Sequence, residues 1–299
     1  MAFYFPDTPD LPLPPGHRFP ATKYRLLRER CIGEGLFAQT GLRASPAISP
    51  RDLERAHWET YIRNVLSGAL GEEAMRRIGI PWSEILVARS LATVGGSLAA
   101  ARDALSEGVA GQLAGGTHHA HRDFGSGYCV FNDLAVAALV LVAGGSVRRV
   151  SILDCDVHQG DGTAAILKGV DAIQTISIHG EKNFPFRKFA SDLDIALPDD
   201  TGDIAYLAAL ETALTTVYNF APDILLYLSG ADVLAADRLG RLALTPEGLA
   251  KRDEAVFTFA RSRGLPVSIA IGGGYAEPIS ITVDAYMATF RTARAVYGF

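Results

Sequence analysis

The residues best suited to chemistry lie in a short run near the middle of the chain. Asp154, Asp156 and His158 occupy positions i, i+2 and i+4, so in an extended backbone their side chains point to one face. With Asp232, which follows a later apolar run, they offer the mixed oxygen and nitrogen ligands of a divalent metal site. A catalytic zinc site takes three protein ligands and leaves a position for water. Taken singly, Asp154 or Asp161 could instead cap a turn.

Two adjacent histidines, His118 and His119, form a second cluster, directly after a pair of glycines that permit close backbone approach. Each imidazole could be oriented by a carboxylate such as Asp154 or Asp161, an arrangement that general acid/base catalysis requires. The alternative is a pair of exposed histidines without a role.

A triple glycine followed by tyrosine, Gly272 to Tyr275, is the third element. It could be a tight turn, and it lacks the lysine of a phosphate-binding Walker loop. We expect the Tyr275 hydroxyl to donate a hydrogen bond to an oxyanion opposite the metal.

The elements that must position these residues alternate between strand and helix. Short apolar runs predict buried strands at Val150–Leu153, Ala172–Ile178, Ile224–Leu228 and Val267–Ile271. Helical spacing predicts helices at Asn132–Val142, Ile204–Asn219 and Pro246–Arg263, the last with Thr245 as N-cap. This alternation predicts a mostly parallel sheet with helices on both faces and a ligand site at the carboxyl ends of its strands.

Composition sets limits on the class of protein. The chain has 299 residues, 48% of them hydrophobic, and we expect one domain over residues 1–299. A net charge of −5, with no basic run, disfavours direct nucleic-acid binding. The longest uncharged apolar stretch, Leu134–Gly145, is too short to span a membrane, and no signal peptide is predicted. Three widely spaced cysteines fit reduced thiols, so we expect a cytoplasmic protein.

The successive motifs resemble those of the arginase–deacetylase superfamily, in its histone deacetylase branch. They are GGTHHAHRDFGSGYCVFND, SILDCDVHQGDGT, ISIHGEKNFP, LSGADVLAADRLGRLALT and IGGGYAEP, in the order of the family. GHRFPATKYRLL near the start is similar to the opening motif of class IV enzymes. The resemblance extends from His17 to about Pro278 and implies a three-layer α/β/α sandwich with an eight-stranded, mostly parallel sheet.

The same resemblance implies a set of site residues. It implies one Zn²⁺ per chain on Asp156, His158 and Asp232, with Fe²⁺ as the open alternative. It also implies a proton-handling pair, His118 oriented by Asp154 and His119 oriented by Asp161, together with Tyr275 as the group that polarises the acyl carbonyl. The remaining implied residues are substrate-binding Gly127, Tyr128, Phe184, Gly273 and Gly274, and a structural K⁺ near Asp154 and Ser177.

The sequence departs from the usual motif at three positions. Tyr128 stands where phenylalanine is usual, Gln159 where a second histidine is usual, and Cys155 where an aliphatic residue is common. Tyr128 would add a hydroxyl to the tunnel that, by the same resemblance, holds the alkyl chain of the substrate, and so would affect selectivity for the acyl chain. No counterpart of the rim aspartate that grips substrate in some deacetylases is found between Ser67 and Ser83.

The predicted function is removal of acyl groups, acetyl or long fatty acyl, from lysine side chains of a peptide or protein. An acetylpolyamine or other acylated-amine amidohydrolase would share the same machinery. A binuclear manganese enzyme is disfavoured, because apolar Leu234 stands two residues after Asp232. A catalytically inactive acyl-lysine binding module is a weaker alternative, and the oligomeric state is left open.

Overall fold

The central feature of the fold is a single sheet of eight parallel strands. The computed structural model describes residues 1–37 and 41–299, and within them the strands follow the order β2-β1-β3-β8-β7-β4-β5-β6. Their bounds are β1 Phe3–Phe5, β2 Leu42–Ala44, β3 Val109–Gln112, β4 Val150–Asp154, β5 Ile173–Gly180, β6 Leu193–Leu197, β7 Ile224–Ser229 and β8 Val267–Ile271. Every strand pair is parallel, so all carboxyl ends meet at one edge of the sheet.

Helices cover both faces of this sheet. The first hydrophobic core contains residues of α2 Pro50–Leu53, α3 Glu59–Ser67, α4 Glu72–Ile78, α5 Glu84–Glu107, α6 Asp133–Ala143 and α7 Asp161–Leu167. The second contains residues of α1 Thr22–Gly33, α8 Asp203–Phe220, α9 Pro246–Ser262 and α10 Ser280–Tyr297. The predicted three-layer α/β/α sandwich is confirmed.

Alternation along the central strands explains the two cores. In β7, Ile224, Leu226 and Leu228 belong to the first core, whereas Leu225 and Tyr227 belong to the second. Successive side chains of a strand point to opposite faces, so a strand covered on both sides must be apolar at every position. This pattern is why β7 reads as a continuous apolar run in the sequence.

The four strands and three helices predicted from the sequence are confirmed, with no end shifted by more than two residues. Thr245 caps α9, and its Oγ1 accepts a hydrogen bond from the Gly248 amide at 3.0 Å. The second predicted strand ends later than expected: β5 continues past Ile178 through His179 and Gly180.

Helix α5 is long and apolar enough, by length and composition alone, to pass as a membrane span. More than half of its apolar window is buried inside the protein, and the helix packs against α6 and β3. The core helix of a globular protein passes the same test.

Candidate active site

Three potential metal ligands meet where β4 and β7 end. Asp156 and His158 follow β4, and Asp232 follows the neighbouring strand β7. The Nδ1 atom of His158 lies 3.0 Å from Asp156 Oδ1 and 3.1 Å from Asp232 Oδ2. One ligand atom from each residue lies within 4.8 Å of the other two. Asp154, the fourth residue of the sequence pattern, points instead to His118.

The charge of this cluster suits a divalent cation. Burial and the neighbouring Asp156 raise the pKa of Asp232 to about 7. Two carboxylates that are both buried are stabilised by positive charge between them, because like charges in a dry environment raise each other's pKa. The one-histidine, two-carboxylate donor set is one that zinc accepts, so the residues fit the metal.

The two adjacent histidines each hold a carboxylate through Nδ1. His118 Nδ1 lies 2.6 Å from Asp154 Oδ2, and His119 Nδ1 lies 2.6 Å from Asp161 Oδ1. The second oxygen of Asp161 bonds His121 at 2.9 Å. These contacts fix both rings, and the other nitrogen of His118, Nε2, lies 3.9 Å from Asp156 Oδ1 in the metal cluster.

The two imidazoles have opposite pKa shifts. Burial lowers the pKa of His118, but the charge and hydrogen bond of Asp154 outweigh it and raise the pKa to about 9. Burial and the positive charge of His118 lower the pKa of His119 to about 4. At neutral pH the pair therefore holds one proton donor and one proton acceptor side by side.

The glycine loop after β8 packs directly against the metal cluster. The Gly273 amide donates to Asp156 Oδ2 at 2.6 Å, and a Cβ built on Gly273 would lie 1.7 Å from Asp232 Oδ2. No other residue could approach the carboxylates so closely. Gly273 therefore contacts the ligands, while the Gly274 carbonyl accepts a hydrogen bond from Lys23.

Tyr275 is held in place by residues that were not among the predicted site residues. Asp237 Oδ2 accepts a hydrogen bond from the Tyr275 amide at 2.6 Å. Lys23, only 1% exposed, donates through Nζ to the Gly272 carbonyl at 3.1 Å and lies 5.3 Å from the centre of the Tyr275 ring. The Tyr286 hydroxyl donates to the Gly273 carbonyl. Lys23 and Asp237 both lie within the quoted motifs, and this was the feature of the sequence that could have identified them as site residues.

The walls of the entrance groove come from a tight turn and an aromatic ring. Gly127, Tyr128 and Phe184 all line the groove that leads to His119 and His158. The Phe184 ring lies 4.9 Å from the His119 ring. Tyr128 adopts a left-handed backbone with φ 68°, which is uncommon for a residue with a side chain.

This turn is anchored to the end of α4. The Tyr128 amide donates to the Ile78 carbonyl at 2.7 Å, and the Gly127 amide donates to the Arg77 carbonyl at 3.3 Å. These two backbone bonds set the position of the groove wall.

A buried arginine supports both strand ends that carry metal ligands. The Arg252 guanidinium, fully buried on α9, donates through Nη1 to the carbonyls of Cys155 at 3.3 Å and Gly230 at 2.6 Å. Its charge is balanced by Asp253, 2.9 Å away. Cys155 immediately precedes Asp156, so Arg252 fixes the backbone that presents a ligand. An arginine in a predicted helix is expected at the surface, so no feature of the sequence indicated that Arg252 is buried.

We expect loss of this support to weaken metal binding. Replacing Arg252 alone would leave Asp253 as an unpaired buried charge, so the double variant Arg252→Met/Asp253→Leu is the better test. Removing partners of this kind costs about 10- to 100-fold in metal affinity, and competition with a zinc chelator would measure it. Thr289→Val removes only a hydroxyl that bonds Asp253 and is the matched control. A native zinc affinity in the double variant would contradict the role.

His57 joins the histidine segment to the start of α6. Its Nδ1 donates to the His121 carbonyl at 2.8 Å, and its Nε2 accepts from the Asn132 amide at 2.9 Å. The second bond requires the neutral ring, because a protonated Nε2 cannot accept. Burial lowers the pKa of His57 to about 4.

The pH dependence of stability should report this neutral histidine. In the unfolded chain the ring binds a proton near pH 6.5, whereas in the folded chain it does so only near pH 4, so between these values the unfolded state holds more protons. Stability is therefore lost as the pH falls. His57 should account for about 2 kcal/mol of the loss between pH 7.5 and 5. Urea unfolding of the native chain and of His57→Gln at both values measures the difference, and equal losses would contradict it.

Gln159, one of the departures from the usual motif, has a structural contact of its own. Its Nε2 donates to the Phe189 carbonyl at 2.8 Å and to Asp194 Oδ1 at 2.7 Å, and its Oε1 accepts from the Phe189 amide at 2.9 Å. The side chain thus fixes the loop between β5 and β6.

The two residues expected near a structural K⁺ lie on adjacent strands, where Asp154 of β4 is in register with Ser177 of β5.

Known proteins resemble this chain in sequence and in fold. A family profile described as histone deacetylase domain matches residues 17–290. An uncharacterized protein of Picosynechococcus is 42% identical over 98% of both chains. A histone deacetylase-like amidohydrolase of Pseudomonas aeruginosa is 32% identical over 89% of this chain and 74% of its own length. The crystal structure of the HDA15 HD domain superposes with a TM-score of 0.80, at 21% identity, over 99% of this chain and 88% of that one.

The relatives of this chain imply a hydrolase that acts on amide bonds. The chain belongs to the histone deacetylase family. Members of this family are generally metal-dependent, and the Asp156, His158 and Asp232 cluster is the corresponding candidate site.

Proposed function

We propose that this protein is a zinc-dependent deacylase, similar to class IV histone deacetylases, that hydrolyses the side-chain amide of acylated lysine. The observation that carries the proposal is the juxtaposition of the Asp156, His158 and Asp232 cluster with two histidines, each bonded to its own carboxylate. This arrangement lies at the inner end of a groove that could admit an extended alkyl chain.

The metal and the histidine pair divide the work. Zinc held by Asp156, His158 and Asp232 would supply Lewis acidity toward the acyl carbonyl and toward water. His119, neutral because its pKa is lowered, takes the proton from water through Nε2. His118, whose pKa is raised, holds a proton that can be delivered to the leaving amine.

Tyr275 completes the catalytic set as an oxyanion donor. Burial and the charges of Asp232 and Asp156 raise the pKa of its hydroxyl well above the usual value, so the group stays protonated at neutral pH. A protonated phenol can donate to the oxygen that gains negative charge when the amide is attacked. Lys23 and Asp237 hold the loop in which the ring stands.

A second pocket, which shares His119, His158 and Tyr275 with the groove, is suited to the acyl group. Its lining also includes His118 and Asp156 and the apolar side chains of Leu11, Phe19, Ile80, Leu86 and Phe131. Apolar lining favours a fatty acyl tail over acetyl. We therefore propose faster cleavage of long-chain acyl-lysine.

Two further features belong to the proposal. A structural K⁺ near Asp154 and Ser177 follows from the family resemblance, and the two residues are paired across β4 and β5. Cys31, Cys129 and Cys155 are free and buried, which favours a reducing compartment, so we propose a cytoplasmic location.

Turnover of defined peptides tests the function. Acetyl-lysine and decanoyl-lysine peptides of the same sequence would be incubated with the protein as purified, after treatment with dipicolinate, and after return of Zn²⁺. We expect turnover that dipicolinate abolishes and that close to one zinc ion per chain restores, with decanoyl the faster substrate. Elemental analysis that finds two manganese ions per chain, or turnover that resists the chelator, would reject the proposal.

A further inference from the structure

The entrance of the groove is positively charged, although the protein as a whole carries a net charge of −5. Its described lining includes five cationic side chains and no aspartate or glutamate, the cations being Arg18, Arg76, Arg77, Lys182 and Arg241. All five residues are exposed. A cleft lined by one sign of charge concentrates ligands of the opposite sign.

Nearby carboxylates only partly balance this charge. Arg76 and Arg77 pair with Glu72 and Glu73 at 3.3 and 3.6 Å, but the side chains of these glutamates are 92% and 84% exposed. Exposed pairs of this kind are weak and exchange readily with other partners.

A single carboxylate serves the opposite side of the entrance. Asp199 pairs with Arg241 at 3.0 Å and with Lys182 at 3.7 Å. Within the described residues, Arg18 is in no ion pair. The three undescribed positions, 38–40, hold uncharged residues and so offer it no ionic partner. Five lining cations thus have three carboxylate partners, so these eight side chains carry a net charge of +2.

The five cations come from separate parts of the chain and line the same groove. Arg18 lies in the segment before α1, Arg76 and Arg77 in the last turn of α4, Lys182 after β5, and Arg241 in the loop before α9. When the acylated lysine of a peptide enters the groove, the residues that flank it must lie close to these cations. The charge therefore acts on the substrate sequence rather than on the acyl group.

We infer that the natural substrate presents its acyl-lysine within an acidic segment, with aspartate or glutamate on the residues flanking the lysine. The inference rests on the proposed deacylase function and adds the class of substrate. A cationic flank, as in a lysine-rich tail or an acetylated polyamine, would be repelled by the same residues. The observation therefore disfavours the polyamine alternative raised by the sequence.

Matched peptides test the inference. Decanoyl-lysine peptides with glutamate, glutamine or lysine at the two positions on each side would be compared at 50 mM and 500 mM NaCl. We expect the glutamate peptide to exceed the lysine peptide by about tenfold in kcat/KM at low salt, mainly through KM, and the advantage to shrink at high salt. Equal rates for the three peptides, or a preference for lysine flanks, would overturn the inference.

A charge-reversed variant assigns the effect to the entrance. Arg18→Glu/Arg76→Glu should abolish or reverse the preference without changing zinc content. Arg148→Glu is the control, because Arg148 is 88% exposed and stands just before β4, at the opposite edge of the sheet. If the double variant keeps the preference for glutamate, the cations of the entrance do not select the residues that flank the acyl-lysine.

Failure of the proposed function would have a different signature. If no acyl-lysine peptide is turned over, the deacylase proposal fails, and the inference is then decided by binding. Fluorescence anisotropy of the same three peptides, dye-labelled, would still rank glutamate above lysine at low salt if the entrance selects acidic segments. No difference in affinity would overturn it.

Discussion

Replacing Tyr275 with phenylalanine should lower kcat by about 10² to 10³ while KM changes little. The hydroxyl is the only group removed, and it donates to an oxygen whose charge develops in the transition state. The ring keeps its place because the contacts that hold the loop are made by the Tyr275 amide with Asp237 and by Lys23 with the neighbouring carbonyls. Steady-state kinetics on one decanoyl-lysine peptide would measure the change.

The control for this variant is the zinc content together with the unfolding midpoint in urea, both of which should match the native chain. A tyrosine that merely packs beside a glycine turn would tolerate phenylalanine. A kcat within about threefold of the native value would therefore remove Tyr275 from the mechanism.

His119→Ala should lower kcat by about 10² or more and leave the metal in place. His119 is bonded through Nδ1 to Asp161, which lies outside the cluster of Asp156, His158 and Asp232. The ring therefore serves as a base whose loss removes proton transfer without removing a ligand.

Zinc analysis of the purified His119 variant separates the two possible roles. Zinc retained with activity lost supports the base. Zinc lost together with activity would make His119 a ligand and would contradict the assignment. Asp232→Ala is the matched comparison, since it should lose both.

Strands β4, β5, β7 and β8 were predictable from the sequence because they are buried on both faces, and their apolar runs are continuous. The other four strands were not. β1 and β2 have three residues each and β3, although buried inside the sheet, has four, all too short for a pattern, and β6 alternates between partly buried and exposed positions up to its buried last residue. Helix α5 was also missed, since glycines at positions 95 and 96 interrupt a helix whose middle is buried almost all round.

Polar residues of the site were predictable where they follow strands, because parallel strands bring their carboxyl ends together. Lys23, His57 and Arg252 were not, although each is 1% exposed or less. Lysine and arginine are almost always at the surface, so residue type alone does not indicate that one of them turns inward to bond backbone carbonyls, and for Lys23 only its place in a family motif could have done so. Only the folded chain shows which carbonyls need a donor.

The anchoring of the Gly127 and Tyr128 turn on α4 has a consequence for selectivity. The same last turn of that helix supplies Arg76 and Arg77, so the groove wall and part of the charged entrance form one mechanical unit. We expect a polypeptide that binds these arginines to shift the groove wall as well, because both belong to the end of α4. Any effect on the acyl group would act through the wall and not through the charge, and the ranking of acyl chains would then depend on the sequence around the lysine.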